Sequence, residues 1–240
     1  MYKILLIIIA CVNISLLQAA SDTLIVGTNA EFPPFTYIEN GVIIGFDIDI
    51  ATEVGQRLGK KIQFRDMPFD ALIPEIVLGQ VDFVAAGMSY TEERAKRVSF
   101  TKNYLQQDPL VVFTTNENSM NLSDLNGKTV VVIEGFTADL FMSSIKDVNL
   151  IRLPTQADGF MAIKNGRADA FVTSKSTVDA FFEKQDALLF NINFIDGTSE
   201  TCALAVPINK SEMLADVQEA LDDMEKDGTL AQLRIKWKLQ

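Results

Sequence analysis

Short apolar runs alternate with amphipathic stretches over residues 23–86, with turn residues between them. The pattern predicts a strand Thr23–Thr28, a hairpin of Tyr37–Ile38 and Val42–Ile44, a helix from Asp47 to Leu58, a strand Ile62–Phe64, a helix Ala71–Leu78 and a strand Val81–Ala86. Asn40-Gly41 is a typical hairpin turn, and Asp47 and Asp70 are predicted helix N-caps. This β-α-β-α-β order predicts a doubly wound α/β sheet.

A second alternation of the same kind begins after Pro109. Its predicted strands are Leu110–Thr114, Thr129–Ile133, Leu150–Leu153, Ala168–Thr173 and Thr201–Val206, and its predicted helices are Thr137–Ile145, Gln156–Lys164, Lys175–Phe182, Ser211–Asp227 and Leu230–Trp237. Because the two alternations are joined by strand-like segments, the sequence predicts two α/β lobes with a cleft between them.

A strand, a tight turn and a helix start converge on the segment Gly87–Arg94. Thr91 is the predicted N-cap, which puts Arg94 at the third position of the helix. Free backbone N–H groups, the hydroxyl of Ser89 and one guanidinium would together suit a small carboxylate. Taken alone, an arginine such as Arg94 is more often a solvated surface charge than a ligand contact.

Composition narrows the chemistry that the chain can perform. The 240 residues include no histidine, which excludes Ser-His and Cys-His catalysis and imidazole-based zinc sites. The formal net charge of −11 repels phosphate backbones, so we expect no nucleic-acid partner. We expect neither a metal nor a cofactor, and no catalytic residue.

Residues 1–20 have the form of a secretory signal: Lys3 precedes a short apolar core that ends in small residues. Cleavage is expected after Ala19 or Ala20, giving a periplasmic protein. An alternative is lipidation of Cys11, which follows a loose lipoprotein cleavage box. Either way Cys202 has no partner for an intrachain disulfide.

The stretch Ala86-Gly-Met-Ser-Tyr-Thr-Glu-Glu-Arg94 resembles the carboxylate-binding motif of the periplasmic polar-amino-acid-binding proteins of ABC importers, family 3 of the solute-binding proteins. The resemblance extends over about residues 23–237. It implies a monomer with a two-lobed type II periplasmic-binding-protein fold joined by two hinge segments. Lobe 1 would comprise residues 21–108 and 204–240, and lobe 2 residues 109–203.

The resemblance also implies ligand contacts in lobe 1, at Asn29, Phe32, Phe69, Gly87, Met88, Ser89 and Arg94. Arg94 would hold the α-carboxylate of an amino acid, and the carbonyl of Gly87 would accept from its ammonium. Phe32 and Phe69 would form aromatic walls around its carbon chain. Asn29 would touch the ligand's side chain.

In lobe 2 the resemblance assigns two contacts, one of which departs from the family pattern. Thr137 would donate to the α-carboxylate when the cleft closes, and it could also be a plain N-cap. Ser174 stands where the family usually has an aspartate that pairs with the ligand's ammonium. A serine supplies no charge. Acids that could replace it are Glu134, Asp179, Asp196 and Glu200.

Two functions of different classes follow from these residues. The first is a non-catalytic receptor that captures a polar amino acid, glutamine or arginine, and presents it to an ABC permease. The alternative is a secreted enzyme on the same fold, similar to the cyclohexadienyl or arogenate dehydratases. Without histidine, such an enzyme would need Glu31, Glu134 or Glu200 as its acid.

Overall fold

The computed structural model describes residues 22–183 and 189–239; the predicted signal over residues 1–20, including Cys11, lies outside them. The strands are β1 Thr23–Thr28, β2 Glu31–Phe32, β3 Thr36–Glu39, β4 Val42–Ile44, β5 Lys61–Asp66, β6 Phe83–Val84, β7 Val98–Phe100, β8 Leu105–Asp108, β9 Leu110–Thr115, β10 Thr129–Ile133, β11 Asn149–Leu153, β12 Ala170–Ser174, β13 Phe190–Phe194, β14 Glu200–Cys202 and β15 Ala205–Pro207. The helices are α1 Phe46–Arg57, α2 Leu72–Val77, α3 Glu92–Ala95, α4 Thr137–Ser143, α5 Gln156–Lys164, α6 Lys175–Phe182, α7 Ser211–Lys226 and α8 Thr229–Lys236. Over these described ranges, no helix has the length and apolar character needed to cross a membrane.

The first sheet has the strand order β5-β1-β6-β15-β7. β1 runs parallel to β5 and β6, whereas β15 lies antiparallel between β6 and β7. The C-terminal helices complete this lobe: α7 buries Val217, Ala220, Leu221 and Met224, which fall on one helical face. The indole N–H of Trp237 donates to Asp49 of α1 over 2.7 Å, which ties the end of the chain to the lobe.

The second sheet has the order β11-β10-β12-β9-β13 and repeats the same plan. β10 is parallel to β11 and β12, and β9 runs antiparallel between β12 and β13. In each sheet the antiparallel strand in fourth place directly follows a crossover: β9 follows β8, and β15 follows β14. β8 and β14 pair with each other, Glu200 opposite Asp108 and Cys202 opposite Leu105.

These features are the two-lobed type II fold, with β8 and β14 as the two hinge segments between the lobes. The strand pair explains why the crossovers lie side by side: each supplies backbone hydrogen-bonding groups to the other. The lobe limits of 21–108, 109–203 and 204–240 stay a prediction at the level of single residues.

Several predicted elements are confirmed to the residue, among them β1, β10, α5 and α6. The predicted strand Thr201–Val206 is wrong as one element, because it divides into β14 in the hinge and β15 in the first sheet. Asp70 is not a cap: it lies inside a short 3₁₀ helix, Phe69–Ala71, whose N-cap is Pro68 and which leads into α2.

Asp47 is also not the N-cap predicted from the sequence. Gly45 occupies the cap position of α1, at φ 144°, and its residue type offers no capping side chain. The Asp47 carboxylate is fully buried and accepts hydrogen bonds from the Gly87 N–H over 2.6 Å and from the Tyr104 hydroxyl over 2.7 Å. It therefore supports the turn that follows β6, and with it the segment Gly87–Arg94.

Gly45 should tolerate no side chain, since an added Cβ would lie 2.1 Å from the Phe35 carbonyl oxygen and the positive φ disfavours other residues. We expect Gly45→Ala to lower the free energy of unfolding by about 3 kcal/mol or more, combining backbone strain and overpacking. Gly41→Ala is the matched control, because φ is also positive there but its Cβ would meet no atom within 4 Å. Equal losses for both variants in urea denaturation would contradict the close approach at Gly45.

Candidate ligand-binding site

Arg94 lies buried between the lobes, and its guanidinium hydrogen-bonds to both. One terminal nitrogen donates to the Ser89 carbonyl over 2.7 Å, within the first lobe. The other donates to the Gly135 carbonyl over 2.9 Å, in the loop that joins β10 to α4 in the second lobe. Only 7% of the residue is exposed. The side chain that the sequence assigns to carboxylate binding is thus an interlobe contact in this closed arrangement.

A helix cap and a tight turn fix the backbone position of Arg94. Thr91 caps α3 as predicted, since its hydroxyl accepts from the Arg94 N–H over 3.1 Å. Gly87 turns the chain after β6 with φ 61°, and a Cβ there would lie 2.6 Å from the Phe32 ring. Because Asp47 holds the Gly87 N–H, the turn is anchored from the buried side of the lobe.

The charge of Arg94 has no ion-pair partner among the described carboxylates. Burial lowers the pKa of its guanidinium to about 10, and the negative charge of Glu200 opposes that shift. The guanidinium carbon also lies 5.2 Å from the centre of the Phe69 ring, within cation–π range. At neutral pH Arg94 remains a buried cation, and its only hydrogen-bond acceptors among the described residues are carbonyl oxygens. Because a buried charge without an ionic partner is unfavourable, its surroundings suit an anionic ligand.

Phe136, next to Gly135, fills the space between the two predicted aromatic walls. Its ring centre lies 4.2 Å from that of Phe69 and 4.8 Å from that of Phe32. The cavity that remains measures about 10 Å³, room for about one water molecule. Its lining is Phe32, Ile133, Phe136, Ala138, Gln156, Val172, Thr173, Ser174 and Glu200.

The loop Gly135–Thr137 therefore occupies the site in the manner of a ligand. A carbonyl oxygen of the loop sits on Arg94, where a carboxylate oxygen is expected, and a phenyl ring sits between Phe32 and Phe69, where a carbon chain is expected. An amino acid that uses these contacts has to displace both groups.

Two buried acids, Asp108 and Glu200, face each other across the hinge strands. Asp108 accepts from the N–H of Ser176 over 3.0 Å and from its hydroxyl. Burial raises the pKa of Glu200 to about 8, the charge of Asp108 adds to that rise, and a hydrogen bond from Thr137 and the charge of Arg94 oppose it. Burial also raises the pKa of Asp108.

The other acids proposed from the sequence lie away from this cavity. Glu134 and Asp196 are exposed, and Asp179 pairs with Lys175 on an exposed face of α6. Glu31 is exposed as well, so Glu200 alone of the sequence-proposed acids is buried beside Arg94.

The remaining predicted contacts differ in position, and Asn29, Met88 and Thr137 do not line the small cavity. Asn29 is buried; its amide nitrogen donates to the Met67 carbonyl over 3.2 Å, and its amide oxygen has no hydrogen-bond partner among the described atoms. Met88 points into the core, and its carbonyl accepts from the Ala203 N–H over 3.0 Å. Ser174 lines the small cavity, and its hydroxyl lies 2.8 Å from that of Thr177. Thr137 is the first residue of α4, so the N-cap is Phe136 and not Thr137.

A larger groove of about 1060 Å³ borders the same region on the side of the hinge. It is lined by Glu31 and Tyr37 of the first lobe, by Asp108, by Gln156 and Lys175 of the second lobe, and by residues near the C-terminus. Burial raises the pKa of Glu31, and the nearby charges of Asp66 and Asp158 add to the effect, which marks this side of the cleft as acidic.

Sequence reasoning missed the parts played by Phe136, Gln156 and Asp108. Gln156 is buried and accepts from the Thr173 hydroxyl over 3.0 Å in the wall of the small cavity. No local signal distinguishes a helix-start glutamine or a loop phenylalanine from an ordinary one; only the interlobe packing does.

Within the described residues, no group of three or more His, Cys, Asp or Glu side chains could hold a metal ion.

A sequence profile of the bacterial extracellular solute-binding proteins, family 3, matches residues 24–240. The arginine-binding extracellular protein ArtP of Bacillus subtilis (strain 168) is 31% identical over 254 aligned positions, covering 98% of this chain and 96% of its own. A probable histidine-binding protein of Campylobacter jejuni is 29% identical and covers 98% of this chain and 94% of its own.

Solved structures of similar proteins superpose over most of the chain. An ancestral arginine-binding protein bound to glutamine has a TM-score of 0.86 and 35% identity, covering 92% of this chain and 100% of its own. The same kind of protein bound to arginine has a TM-score of 0.84 and 35% identity, covering 90% and 98%. Holo ArgBP from T. maritima has a TM-score of 0.80 and 34% identity, covering 90% and 96%.

Removing the Phe136 ring should weaken the closed arrangement of the ligand-free protein. Two aromatic contacts contribute about 0.5–1.5 kcal/mol each, so Phe136→Ala should shift the open–closed equilibrium toward the open form by roughly 5- to 150-fold. Small-angle scattering without ligand should then give a larger radius of gyration. Phe194→Ala, at a phenylalanine of the second lobe that is 55% exposed, should leave the radius unchanged. An unchanged radius for Phe136→Ala would show that its ring does not hold the lobes together.

Proposed function

Because the chain belongs to family 3 of the bacterial extracellular solute-binding proteins, we propose that it captures a polar amino acid, arginine or glutamine, in the cleft between its lobes and delivers it to the permease of an ABC transporter. Membership of an extracellular family fits a position outside the inner membrane, in agreement with the predicted signal over residues 1–20. The similar proteins compared above are named as binding proteins and not as enzymes.

The observation that carries this proposal is the buried cation of Arg94. It reaches both lobes, its charge is unpaired by any described carboxylate, and it already holds a carbonyl oxygen at the position where a carboxylate would bind. An arginine binds a carboxylate through two parallel hydrogen bonds, which two backbone carbonyls on different segments only partly replace. A ligand carboxylate would therefore improve on the contacts of the ligand-free state.

The surroundings of the aromatic walls support a polar side chain on the ligand. The amide oxygen of Asn29 is buried and free to accept a hydrogen bond from an amide or guanidinium. Phe32 and Phe69 offer faces for a flat group, and acids border the adjoining groove. Arginine and glutamine both carry a flat terminal group with N–H donors. Both are also the ligands in the structures of the ancestral protein.

Delivery to a permease would use the closure of the lobes as its signal. A ligand held by Arg94 in the first lobe and by Thr137 in the second makes both contacts only in the closed form, so it shifts the population toward that form. The hinge strands β8 and β14 are short, which confines the motion to a few residues.

A thermal-shift screen of the twenty common amino acids tests the proposal as a whole. L-arginine or L-glutamine at 100 times its dissociation constant should stabilise the folded protein by about 2.7 kcal/mol. The apolar amino acids should give smaller shifts. If none of the twenty raises the unfolding temperature, while the protein is folded at the start of the scan, amino-acid capture is wrong.

The role of Arg94 is tested by Arg94→Ala and Arg94→Lys with calorimetric titration of the amino acid that the screen identifies. Alanine should weaken binding by about 2–5 kcal/mol, roughly 30- to several-thousand-fold, because a buried carboxylate loses its partner. Lysine keeps the charge but lacks the forked geometry, so it should also bind weakly. Arg97→Ala is the matched control, since Arg97 is exposed three residues away. Wild-type affinity in folded Arg94→Ala would refute the assignment.

A further inference from the structure

The proposed ligand carries an ammonium group, and the position expected to receive it is neutral. Ser174 has a hydroxyl in place of a carboxylate, and that hydroxyl already lies 2.8 Å from Thr177 and 3.3 Å from Ser176. A buried ammonium without an anionic partner is too costly to leave unpaired in a closed cleft. Carbonyl oxygens such as that of Gly87 can accept from it, and a carboxylate elsewhere in the chain would be its strongest partner.

Glu200 lies where that charge is needed. Its side chain lines the small cavity together with Ser174 and Phe136, and the residue is only 7% exposed. It receives a hydrogen bond from Thr137, the residue assigned to the ligand's carboxylate, and it is close enough to Arg94 to affect its charge. Arg94 and, once it is ionised, Glu200 would therefore carry opposite charges close to one another.

The neighbouring acid, Asp108, is already engaged. Both of its oxygens accept from Ser176, one from the backbone N–H and the other from the hydroxyl. These bonds hold the start of α6 against the hinge, so Asp108 has a structural partner that a ligand would have to break. Glu200 has only the hydroxyl of Thr137 as a hydrogen-bond donor among the described residues.

We propose that Glu200 binds the α-ammonium of the amino acid and takes the part that Ser174 cannot play. This inference rests on the proposed amino-acid capture. Arg94 and Glu200 then form a pair of opposite charges complementary to the zwitterionic end of the ligand, and Thr137 hydrogen-bonds to Glu200. Because Glu200 belongs to hinge strand β14, the ligand's ammonium contacts the hinge itself and stabilises its closed geometry.

The ligand-free state gives this role a measurable consequence. Burial raises the pKa of Glu200 to about 8, so at pH 7 its carboxyl is mostly protonated without ligand. The groups that face it are Arg94, Asp108 and Thr137; Asp108 disfavours the charged form, whereas the hydrogen bond from Thr137 and the charge of Arg94 favour it. An arriving ammonium also favours the charged form, so binding should release up to about 0.9 proton at pH 7.

The first test is calorimetric titration of L-glutamine and L-arginine into wild-type protein at pH 7, in buffers of different ionisation enthalpy. Release of about one proton per bound ligand is expected. The companion probes are their des-amino analogues, glutaramate and 5-guanidinopentanoate, which should bind at least 100-fold more weakly and release no proton. Equal binding of amino acid and analogue would overturn the inference while leaving carboxylate capture intact.

The second test is Glu200→Gln, which keeps the shape of the side chain and removes its charge. Affinity for the amino acid should fall at least 30-fold, affinity for the des-amino analogue should stay within threefold, and proton release should vanish. Glu134→Gln, at an exposed acid of the same cleft loop, is the matched control and should bind like wild type. Adding Ser174→Asp to Glu200→Gln should restore at least tenfold of the lost affinity by returning a carboxylate to the cavity.

Two results would overturn the assignment of Glu200. One is unchanged discrimination between amino acid and analogue in folded Glu200→Gln, and the other is proton release that persists in that variant. Failure of the proposed function is recognised separately, because wild-type protein would then bind none of the amino acids before any substitution is made.

Discussion

The structure depends on keeping one positive charge buried between two lobes. Arg94 has to be held without an ion-pair partner of its own, and its surroundings are built to do so. Thr91 caps the short helix that carries it, Asp47 fixes the turn before it, and carbonyls from both lobes accept its N–H groups. Burying an unpaired cation is unfavourable, and that cost makes the closed cleft receptive to an anion.

The lobes contribute to this site through their connections as much as through their sheets. In each sheet the fourth strand comes from chain that has just crossed over, so β8 leads directly into the second sheet and β14 into the first. Asp108 and Glu200 are register partners on those strands, which places two buried acids at the pivot. In the proposed function, the acid that binds the ligand's ammonium would lie on the strands about which the lobes close. Closure and recognition would then be coupled.

The sequence correctly predicted those elements that depend only on residues close together in the chain. The Thr91 cap, the strand β10 and the helices α5 and α6 follow from capping preference and apolar periodicity, and all are confirmed. The prediction that Asp47 is a cap was wrong because its carboxylate accepts from the Gly87 N–H, 40 residues further along the chain. The residues next to Asp47 in the sequence do not indicate such a distant partner. The division of residues 200–207 between hinge and sheet was likewise invisible, since both strands are extended and only two residues separate them. Phe136 and Glu200 become site residues only when the lobes meet.

The most direct measurement is a crystal structure of the complex with the amino acid that binds. We expect the ligand's carboxylate to replace the Gly135 carbonyl on the Arg94 guanidinium, its side chain to replace the Phe136 ring between Phe32 and Phe69, and its ammonium to lie within hydrogen-bonding distance of Glu200. A complex in which the Arg94–Gly135 hydrogen bond and the Phe136 stacking persist, with the ligand elsewhere, would contradict the account.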